Sequence, residues 1–285
     1  MKFLPMSRLL ERATAEGYAV PAFYAWNAES VLTVLETASR MKAPVILICS
    51  TVLKATPLSL SDLGRVAAAL AERFDVPAVL MLDHGTTFAH VEECLASGYT
   101  SVLLDYSTKP FAENLEATRR VVKMAHPLGV TVESELGVVG LASEMMAEGE
   151  DPAVGLTDPD EAVTFVEQTG VDALAVAIGN AHGHYPRLPK LDFERLARVR
   201  SAIRIPLVLH GGTGIPEADL RRTISLGISK VNVGTELNTT IVEWMREQWR
   251  SEEYLWMAEV LAGSMPVAAK VVEKWFRMTG AADRA

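Results

Sequence analysis

Short runs of β-branched and aliphatic residues alternate with amphipathic stretches along most of the chain. Each run is four to six residues long and is followed by polar or turn-forming residues, which is typical of buried strands in a parallel sheet. The alternation therefore predicts a series of βα units. Eight runs have this pattern: residues 19–23, 45–48, 78–82, 101–104, 131–135, 173–178, 206–209 and 230–233.

The intervening stretches carry apolar residues three or four positions apart, which is typical of helices that cover a sheet. Residues 6–16 predict a helix before the first strand, and the stretch from Glu236 to the C-terminus predicts the last barrel helix and further helices. Eight strands each followed by a helix close a barrel, whereas a doubly wound sheet usually has fewer strands. We therefore predict one α/β domain over residues 1–285, a (β/α)8 TIM barrel with an extra N-terminal helix and C-terminal helices. The other predicted helices are 29–41, 62–74, 88–96, 113–125, 160–168, 193–201 and 217–225.

Side chains that can do chemistry cluster at the carboxyl ends of the predicted strands, where barrel enzymes build their active sites. Any one of them can instead be a buried polar group whose hydrogen bonds are satisfied, but their joint placement favours a site. These residues are Asp83, His84, Asp105, Ser107, Glu133, Glu135, His182, His210 and Asn232.

Three of these residues, His84, His182 and His210, lie far apart in sequence, so only the fold can bring them together. Three imidazoles leave a coordination position open for substrate, which is typical of a catalytic zinc site, although the set suits several late divalent metals. Asp83 precedes His84, and neighbouring side chains on an extended strand point to opposite faces. Asp83 reaches the site only if the strand ends in a turn, which Gly85 permits. It would then act as acid and base, or orient a histidine.

The remaining histidines are weaker candidates. His184 forms an H-x-H pair with His182 that could chelate a metal, although the flanking Gly183 and Tyr185 favour a loop that leaves the rim. His90 and His126 lie in helix-like stretches, and we expect them at the surface.

Two glycine-rich segments, GGTG at 211–214 and NVGT at 232–235, follow the last two predicted strands. Loops at these positions of a barrel often bind phosphate, because glycines expose backbone N–H groups and a helix N-terminus attracts an anion. Thr213 and Thr235 add hydroxyl donors. The alternative is two ordinary strand-to-helix turns capped by threonine. Because the first segment follows His210 directly, we favour a phosphate site.

Residues 138–157 connect the fifth strand to the next helix in about 20 residues. A loop this long in a compact domain is usually functional or disordered. We predict a mobile lid in which Glu144 brings a carboxylate to the site on closure, the alternative being that its acidic residues are only solvated. Its other glycines and acids are Gly140, Glu148, Gly149, Glu150, Asp151 and Gly155.

Composition and charge narrow the choice of partners. Lys and Arg number 27 against 36 Asp and Glu, and no basic cluster could follow a phosphate backbone, so we expect no nucleic acid partner. No segment approaches the roughly 18 uninterrupted apolar residues of a membrane span, and the N-terminus lacks a signal peptide. Cys49 and Cys94 show neither disulfide-framework nor CxxC spacing. We expect a soluble cytoplasmic protein without a membrane partner.

Several motifs together resemble the class II, zinc-dependent ketose-bisphosphate aldolases, nearest to the tagatose-bisphosphate aldolase branch. The resemblance runs from about residue 6 to residue 237. It rests on YAVPAF at 18–23, LDHG at 82–85, VESELG at 132–137, LTDP at 156–159, GVDALAVAIG at 170–179, AHG at 181–183, LVLHGG at 207–212 and KVNV at 230–233.

The resemblance implies a zinc-dependent barrel that reversibly cleaves a ketose (bis)phosphate, such as tagatose- or fructose-1,6-bisphosphate, to dihydroxyacetone phosphate and an aldehyde. One Zn2+ per subunit would be held by His84, His182 and His210. Asp83 would exchange the proton of the C4 hydroxyl, and Glu144 the proton on C3. A Na+ or K+ ion often lies near the phosphate in this family, and subunits form homodimers or homotetramers. The implied substrate-binding residues are Gly183, Gly211, Gly212, Thr213, Asn232, Val233, Gly234 and Thr235, and Asp105 and Glu135 are candidate ligands at a second metal position.

Four positions depart from the family's pattern. Tyr24 replaces the usual Asn, and Tyr106 stands where a strand-four motif has Gly or Ala, so both predict a crowded rim and a different aldehyde. Thr213 replaces Ser and keeps the hydroxyl. Residues 140–145 read GLASEM where the family has Gly-Gly-x-Glu-Asp, and Glu144 is the nearest match to the catalytic glutamate.

Other functions fit less well. A Schiff-base aldolase needs a lysine near the end of a strand, but the sixth strand ends in IGN at 178–180, and Lys230 is expected to open the eighth strand at the opposite rim. A metal-dependent hydrolase typically has H-x-H after the first strand, where this chain has FYAW at 23–26. Asp83 argues against a non-catalytic barrel that binds zinc and a sugar phosphate. A class II aldolase for another phosphorylated sugar or a sugar acid stays open.

Overall fold

Eight parallel strands close into a barrel in the computed structural model, which describes residues 3–50, 58–146, 155–251 and 256–285. Each strand pairs with the next in sequence, and the last pairs with the first, Val20 opposite Lys230 and Phe23 opposite Val233. The predicted TIM barrel is therefore confirmed. The strands are β1 (Val20–Tyr24), β2 (Val45–Ser50), β3 (Ala78–Gly85), β4 (Ser101–Leu104), β5 (Thr131–Leu136), β6 (Ala173–Val176), β7 (Leu207–Leu209) and β8 (Ile228–Val233).

In the described part of the chain, helices alternate with the strands, with one helix before β1 and two after β8, as the hydrophobic periodicity predicts. A further short helix between β5 and β6, Ala142–Met145, is not among the predicted helices. None of the helices that the structure describes is both long and apolar enough to cross a membrane. The helices are α1 (Met6–Glu16), α2 (Ala28–Arg40), α3 (Leu60–Ala71), α4 (Phe88–Ala96), α5 (Phe111–Ala125), α6 (Ala142–Met145), α7 (Pro159–Thr169), α8 (Phe193–Ala202), α9 (Glu217–Ser225), α10 (Thr235–Ser251) and α11 (Met257–Met278).

Most strands are largely apolar because both faces of the sheet are covered, the inner face by the barrel core and the outer face by the helices. β5 and β8 also carry buried polar residues, among them Glu133 and Lys230. All residues of β2, β3 and β8 are buried. Phe23 of β1 meets Phe276 of α11 edge to face, with ring centroids 5.8 Å apart. The C-terminal helix therefore covers the junction at which the barrel closes.

Side-chain caps fix where several helices begin, and hence how each loop leaves the carboxyl rim. The Asp158 carboxylate accepts the N–H groups of Asp160 and Glu161 at the start of α7. Asn27 and Ser30 form a reciprocal capping box at the start of α2. These helix starts therefore hold the strand-to-helix loops in place around the rim.

Several strand ends differ from the predicted ones, and two of these differences, at the carboxyl ends of β3 and β6, bear on the site. β3 continues past Leu82 to Gly85. β6 stops at Val176 instead of 178, because the Ala177 N–H donates to Thr157 Oγ1 at 2.8 Å and the Ile178 N–H donates to Asn180 Oδ1 at 2.8 Å. These backbone donors are satisfied by side chains rather than by a neighbouring strand.

Candidate active site at the carboxyl rim of the barrel

An irregularity in β3 brings two adjacent side chains to the same place. The pairing with β4 shifts register between Leu82 and Gly85, and His84 has a left-handed φ of 49°. Asp83 and His84 therefore both face the site, with Asp83 Oδ2 3.9 Å from His84 Nε2. The turn that sequence analysis expects from Gly85 occurs at His84 instead. Gly85 is needed for close packing, since a Cβ there would lie 2.8 Å from Leu82 Cδ2.

The three predicted ligands come together from three strand ends. The ring centroids of His84 and His182 are 5.0 Å apart, those of His84 and His210 are 4.8 Å apart, and those of His182 and His210 are 5.8 Å apart. One nitrogen of each ring lies within 4.8 Å of the other two. The arrangement fits a three-histidine metal centre.

Hydrogen bonds on the outer side of two rings set which nitrogen faces the centre. His182 Nδ1 donates to the Val139 carbonyl at 2.9 Å, and His84 Nδ1 donates to Asp105 Oδ2 at 2.6 Å. Asp105 is itself held by the N–H and hydroxyl of Ser107, at 3.0 Å and 2.7 Å. These contacts leave Nε2 of both histidines directed inward, which is how outer contacts orient metal ligands.

His210 lies between two buried carboxylates. Its Nε2 donates to Glu133 Oε1 at 3.0 Å, and its Nδ1 lies 2.9 Å from Glu135 Oε2. Among the described residues, neither His210 Nδ1 nor Glu135 Oε2 has a hydrogen-bond partner, although both atoms are buried. Burial would lower the pKa of His210, but Glu133 and Glu135 outweigh it and raise this pKa to about 10. An orphaned imidazole nitrogen beside an orphaned carboxylate oxygen fits a bound metal cation.

The pKa values of the other two histidines shift in opposite directions. Burial, followed by the neighbouring His210 and His84, lowers the pKa of His182 to about 4, so this ring is neutral at physiological pH. Burial would also lower the pKa of His84, but Asp83 and Asp105 outweigh it and raise this pKa. The residues expected at a second metal position also lie together, since ligand atoms of His84, Asp105 and Glu135 lie within 4.8 Å of one another.

Asp83 is fully buried and both of its oxygens accept hydrogen bonds. Asn232 Nδ2 donates to Oδ1 at 3.0 Å, and Tyr24 Oη donates to Oδ2 at 3.0 Å. Burial would raise the pKa of Asp83, but the positive charges of His84, His210 and Lys230 outweigh it and lower this pKa. The carboxylate is therefore held ionised and ready to accept a proton.

Lys230 lies inside the barrel and not at the opposite rim, where the sequence led us to expect it. The residue lies within β8, which begins at Ile228, and its buried Nζ contacts Glu133 Oε2 at 2.9 Å and Asn232 Oδ1 at 2.7 Å. The alternation of Lys230 with Asn232 on β8, and of Glu133 with Glu135 on β5, is the signal that would have placed all four inside the barrel.

The two glycine-rich loops meet at the N-terminus of α10. Thr213 Oγ1 accepts the Glu236 N–H at 3.1 Å, which ties the loop after β7 to the first turn of that helix. Gly211 has a φ of 65°, and a Cβ there would overlap the Ala181 carbonyl. A Cβ at Gly234 would lie 2.6 Å from Tyr24 Cδ2. Glycine is thus required for the loops to pack, and the arrangement suits a phosphate.

Tyr24 and Tyr106, the two bulky residues expected to crowd the rim, have different surroundings. Tyr24 lies in the site, whereas Tyr106 packs on a helix. The Tyr106 ring meets the Phe88 ring edge to face at the start of α4, with centroids 6.2 Å apart. Arg120 of α5 also contacts the Phe88 ring, and its guanidinium lies 3.9 Å from the ring centroid. Crowding of the rim therefore arises at Tyr24.

The predicted lid is described only in part, because residues 147–154, with Glu148, Gly149, Glu150 and Asp151, lie outside the described residues. Residues 140 to 142 pair with His182, whose N–H donates to Gly140 O while the Ala142 N–H donates to His182 O, both at 2.8 Å. Glu144 follows on α6 with an exposed side chain. The segment that carries the candidate base is therefore tethered directly to a candidate metal ligand.

The three residues after His182 differ in their packing. A Cβ at Gly183 would meet nothing within 4 Å, so the space beside it is open. His184 Nε2 contacts Thr239 Oγ1 of α10 at 3.0 Å. Tyr185 Oη accepts the Ala181 N–H at 2.8 Å and donates to the Gly211 carbonyl at 3.0 Å, which joins the loops after β6 and β7.

Several known proteins are similar to this chain in fold and in sequence. The sequence model of the family described as fructose-bisphosphate aldolase class-II matches residues 4–284. The chain is similar to the YdjI aldolase from Escherichia coli K12, with 33% identity, 100% of both chains covered and a TM-score of 0.88. A putative fructose-1,6-bisphosphate aldolase from Coccidioides immitis is 29% identical, with 97% of this chain and 96% of that chain covered and a TM-score of 0.86. A fructose-bisphosphate aldolase from Campylobacter jejuni, 21% identical with 100% and 97% covered and a TM-score of 0.83, shares the fold.

Proposed function

Because this chain belongs to the class II fructose-bisphosphate aldolase family and is therefore an aldolase, a carbon–carbon lyase, we propose that it cleaves a ketose (bis)phosphate reversibly to dihydroxyacetone phosphate and an aldehyde, with Zn2+ as cofactor. Tagatose- and fructose-1,6-bisphosphate are the first candidate substrates. The observation that carries the proposal is the convergence of His84, His182 and His210 beside the ionised Asp83. Three imidazoles and an adjacent base are the groups that this chemistry requires.

We assign one Zn2+ per subunit to the three histidines, and Asp105 and Glu135 to a second position. When bound, the metal supplies a Lewis acid that polarises the substrate carbonyl and stabilises negative charge next to it. The neutral His182 and the buried, unpartnered His210 Nδ1 support this assignment.

Asp83 removes the proton of the C4 hydroxyl in the cleavage direction. As the C4 oxygen becomes a carbonyl, the C3–C4 bond breaks and its electron pair stays with C3. Tyr24 and Asn232 hold the two oxygens of Asp83, so the carboxylate needs little reorientation to accept the proton. In the condensation direction, the protonated Asp83 returns the proton to the new hydroxyl.

Glu144 delivers the proton that C3 then needs. Its exposed side chain lies on α6, and the preceding residues pair with His182, so a movement of α6 about this pairing would bring the carboxylate towards the metal centre. The predicted lid motion is part of this proposal.

The phosphate of dihydroxyacetone phosphate binds at the N-terminus of α10, where the two glycine-rich loops meet. Backbone N–H groups and the helix dipole favour an anion there. Gly183 borders the substrate, and a Na+ or K+ ion near the phosphate would balance charge. The substrate-binding residues in this proposal are Gly183, Gly211, Gly212, Thr213, Asn232, Val233, Gly234 and Thr235.

A related function is favoured by one observation. Tyr24 fills the space between Asp83 and Gly234, so the position that faces the aldehyde half of the substrate carries a bulky phenol. The enzyme would then act on another phosphorylated sugar or on a sugar acid, with the same donor half and the same residues in the same roles.

Proton exchange of dihydroxyacetone phosphate in D2O, followed by NMR with and without a chelator, tests the function without a choice of aldehyde. We expect exchange of one C3 hydrogen that stops when the metal is removed. Absence of exchange in the metal-loaded protein would contradict the proposal and favour a non-catalytic sugar-phosphate-binding barrel or another donor.

The assembly and location of the protein remain predictions. We propose a cytoplasmic homodimer or homotetramer whose partner is a small sugar phosphate, without nucleic acid or membrane partners. Light scattering on the purified protein would give the subunit number, and a monomer would contradict the proposed assembly.

A further inference from the structure

One fully buried ammonium group lies inside the barrel beneath the site. Lys230 is 0% exposed, and its Nζ lies 3.0 Å from Glu133 Oε1, 2.9 Å from Glu133 Oε2 and 2.7 Å from Asn232 Oδ1. Two of these contacts, to Glu133 Oε1 and Asn232 Oδ1, are hydrogen bonds. Lys230 therefore links the side chains of Glu133 and Asn232.

The contact with Asn232 fixes the orientation of an amide. Lys230 donates to Oδ1, so Nδ2 must point the other way, and it donates to Asp83 Oδ1 at 3.0 Å. The reversed amide would place its NH2 against an ammonium and its oxygen against a carboxylate, two repulsive contacts. Lys230 thereby determines that Asp83 receives a donor from this side.

The contact with Glu133 reaches the metal centre. Glu133 Oε1 accepts from His210 Nε2, and an imidazole that keeps a proton on Nε2 offers Nδ1 as its metal-binding nitrogen. Glu133 is also 0% exposed, so its carboxylate position depends on the ion pair with Lys230. Loss of the ammonium would leave this carboxylate without its counter-charge.

We propose that Lys230 is a positioning residue that fixes the acid–base carboxylate Asp83 through Asn232 and the metal ligand His210 through Glu133. The proposal rests on the proposed function for the roles of Asp83 and His210. A buried ion pair kept solely for stability would connect to neither group, whereas here each end of the chain of contacts terminates on a side chain with a chemical role.

The first test replaces Lys230 with Met, which has a side chain of similar length but no charge and no hydrogen-bond donor. Two readouts apply to the folded, Zn2+-loaded protein: cleavage of fructose or tagatose 1,6-bisphosphate, and C3–hydrogen exchange of dihydroxyacetone phosphate. Asp83 acts only in cleavage, so we expect K230M to lower cleavage at least about tenfold more than exchange. A third readout, Zn2+ affinity from chelator competition, is expected to fall by about tenfold or more.

The second variant, K230M combined with E133Q, removes the unpaired buried charge. The glutamine side chain introduced by E133Q retains an oxygen that can accept from His210 Nε2, but nothing restores the donor to Asn232. We expect this double variant to recover stability and Zn2+ affinity relative to K230M, and to keep the low ratio of cleavage to exchange.

Several results would overturn the proposal. Cleavage and exchange that fall in parallel in the folded variants would show a structural role alone, and unchanged Zn2+ affinity in K230M would remove the link to His210. Failure of both variants to fold, judged by circular dichroism, would assign the ion pair to stability. If the wild-type protein shows neither cleavage nor exchange, the proposed function fails instead, while Zn2+ titration of the variants still tests the contact with His210.

Discussion

At the scale of single residues, Asp83 shows how neighbours prepare a carboxylate for proton transfer. It is completely buried, which by itself raises its pKa, yet the neighbouring His84, His210 and Lys230 outweigh burial and lower this pKa. Tyr24 and Asn232 each donate to one oxygen. The group is therefore both charged and fixed in direction, although water does not solvate it.

Replacement of Asp83 by Ala should separate metal binding from turnover. The variant keeps the three histidines, so we expect normal Zn2+ content together with a loss of about 10²- to 10⁴-fold in cleavage rate, the usual contribution of a general acid–base group. Metal analysis and steady-state kinetics on the same preparation measure both. His210→Ala is the matched control and should lose metal and turnover together. Normal turnover in Asp83→Ala would refute the assignment.

Tyr24→Phe removes one hydrogen bond to Asp83 and keeps the ring against Gly234. A hydrogen bond to a charged group contributes about 1.5–3 kcal/mol, so we expect kcat to fall at least about tenfold with little change in KM for the ketose. Tyr99→Phe, which loses a bond to the Leu60 carbonyl, is the control and should lower stability without lowering kcat. Equal kcat in Tyr24→Phe and the wild-type protein would show that the phenol does not assist Asp83.

At the scale of elements, the rim depends on departures from regular structure. β3 delivers two adjacent side chains to one site only because its register shifts at His84. The loops after β7 and β8 depend on glycines at which a side chain would collide with Ala181 or Tyr24. The regular parts of the strands form the core, and the irregular strand ends position the polar residues of the candidate site.

Gly234→Ala tests the packing of the loop after β8 against β1. The new Cβ would lie 2.6 Å from Tyr24 Cδ2, so the loop must move, and we expect KM for the ketose (bis)phosphate to rise with a smaller effect on thermal stability. The double variant with Tyr24→Asn removes the collision and should bring KM back towards that of Tyr24→Asn alone. An unchanged KM in Gly234→Ala would show that this loop does not contribute to phosphate binding.

At the scale of the whole molecule, the fold and the metal centre are expected to be separable. The core consists of apolar residues between the sheet and its helices, and the histidines lie at the rim. The predicted single domain over residues 1–285 implies one cooperative unfolding transition. Two resolved transitions would contradict the predicted single domain.

Metal removal should therefore abolish turnover while the barrel persists. A ligand present at 100 times its Kd stabilises the native state by about 2.7 kcal/mol, so chelation should lower Tm by roughly 5 °C for a chain of this size and leave the far-ultraviolet circular dichroism unchanged. Added Zn2+ should restore both Tm and turnover. Loss of helical signal on chelation would show that the metal is needed for the fold itself.

The sequence by itself determined the order of strands and helices, and with it the barrel. It also placed His84, His182 and His210 at one rim, since the carboxyl ends of all strands in a parallel barrel lie on the same side. These inferences need only local periodicity and one rule of topology. Exact strand ends depended on side chains such as Thr157 and Asn180, which replace ladder bonds that periodicity alone would expect.

Only the tertiary structure decided which polar residues touch. Lys230 and Glu133 are 97 positions apart, and Tyr24 and Asp83 are 59 apart, so their pairing depends on the stagger of the strands and on which face of the barrel each residue lines. Tyr106 packs on Phe88 for the same reason. Periodicity gives the elements because it reflects local burial, whereas the hydrogen bonds of the site form between residues that no local pattern relates.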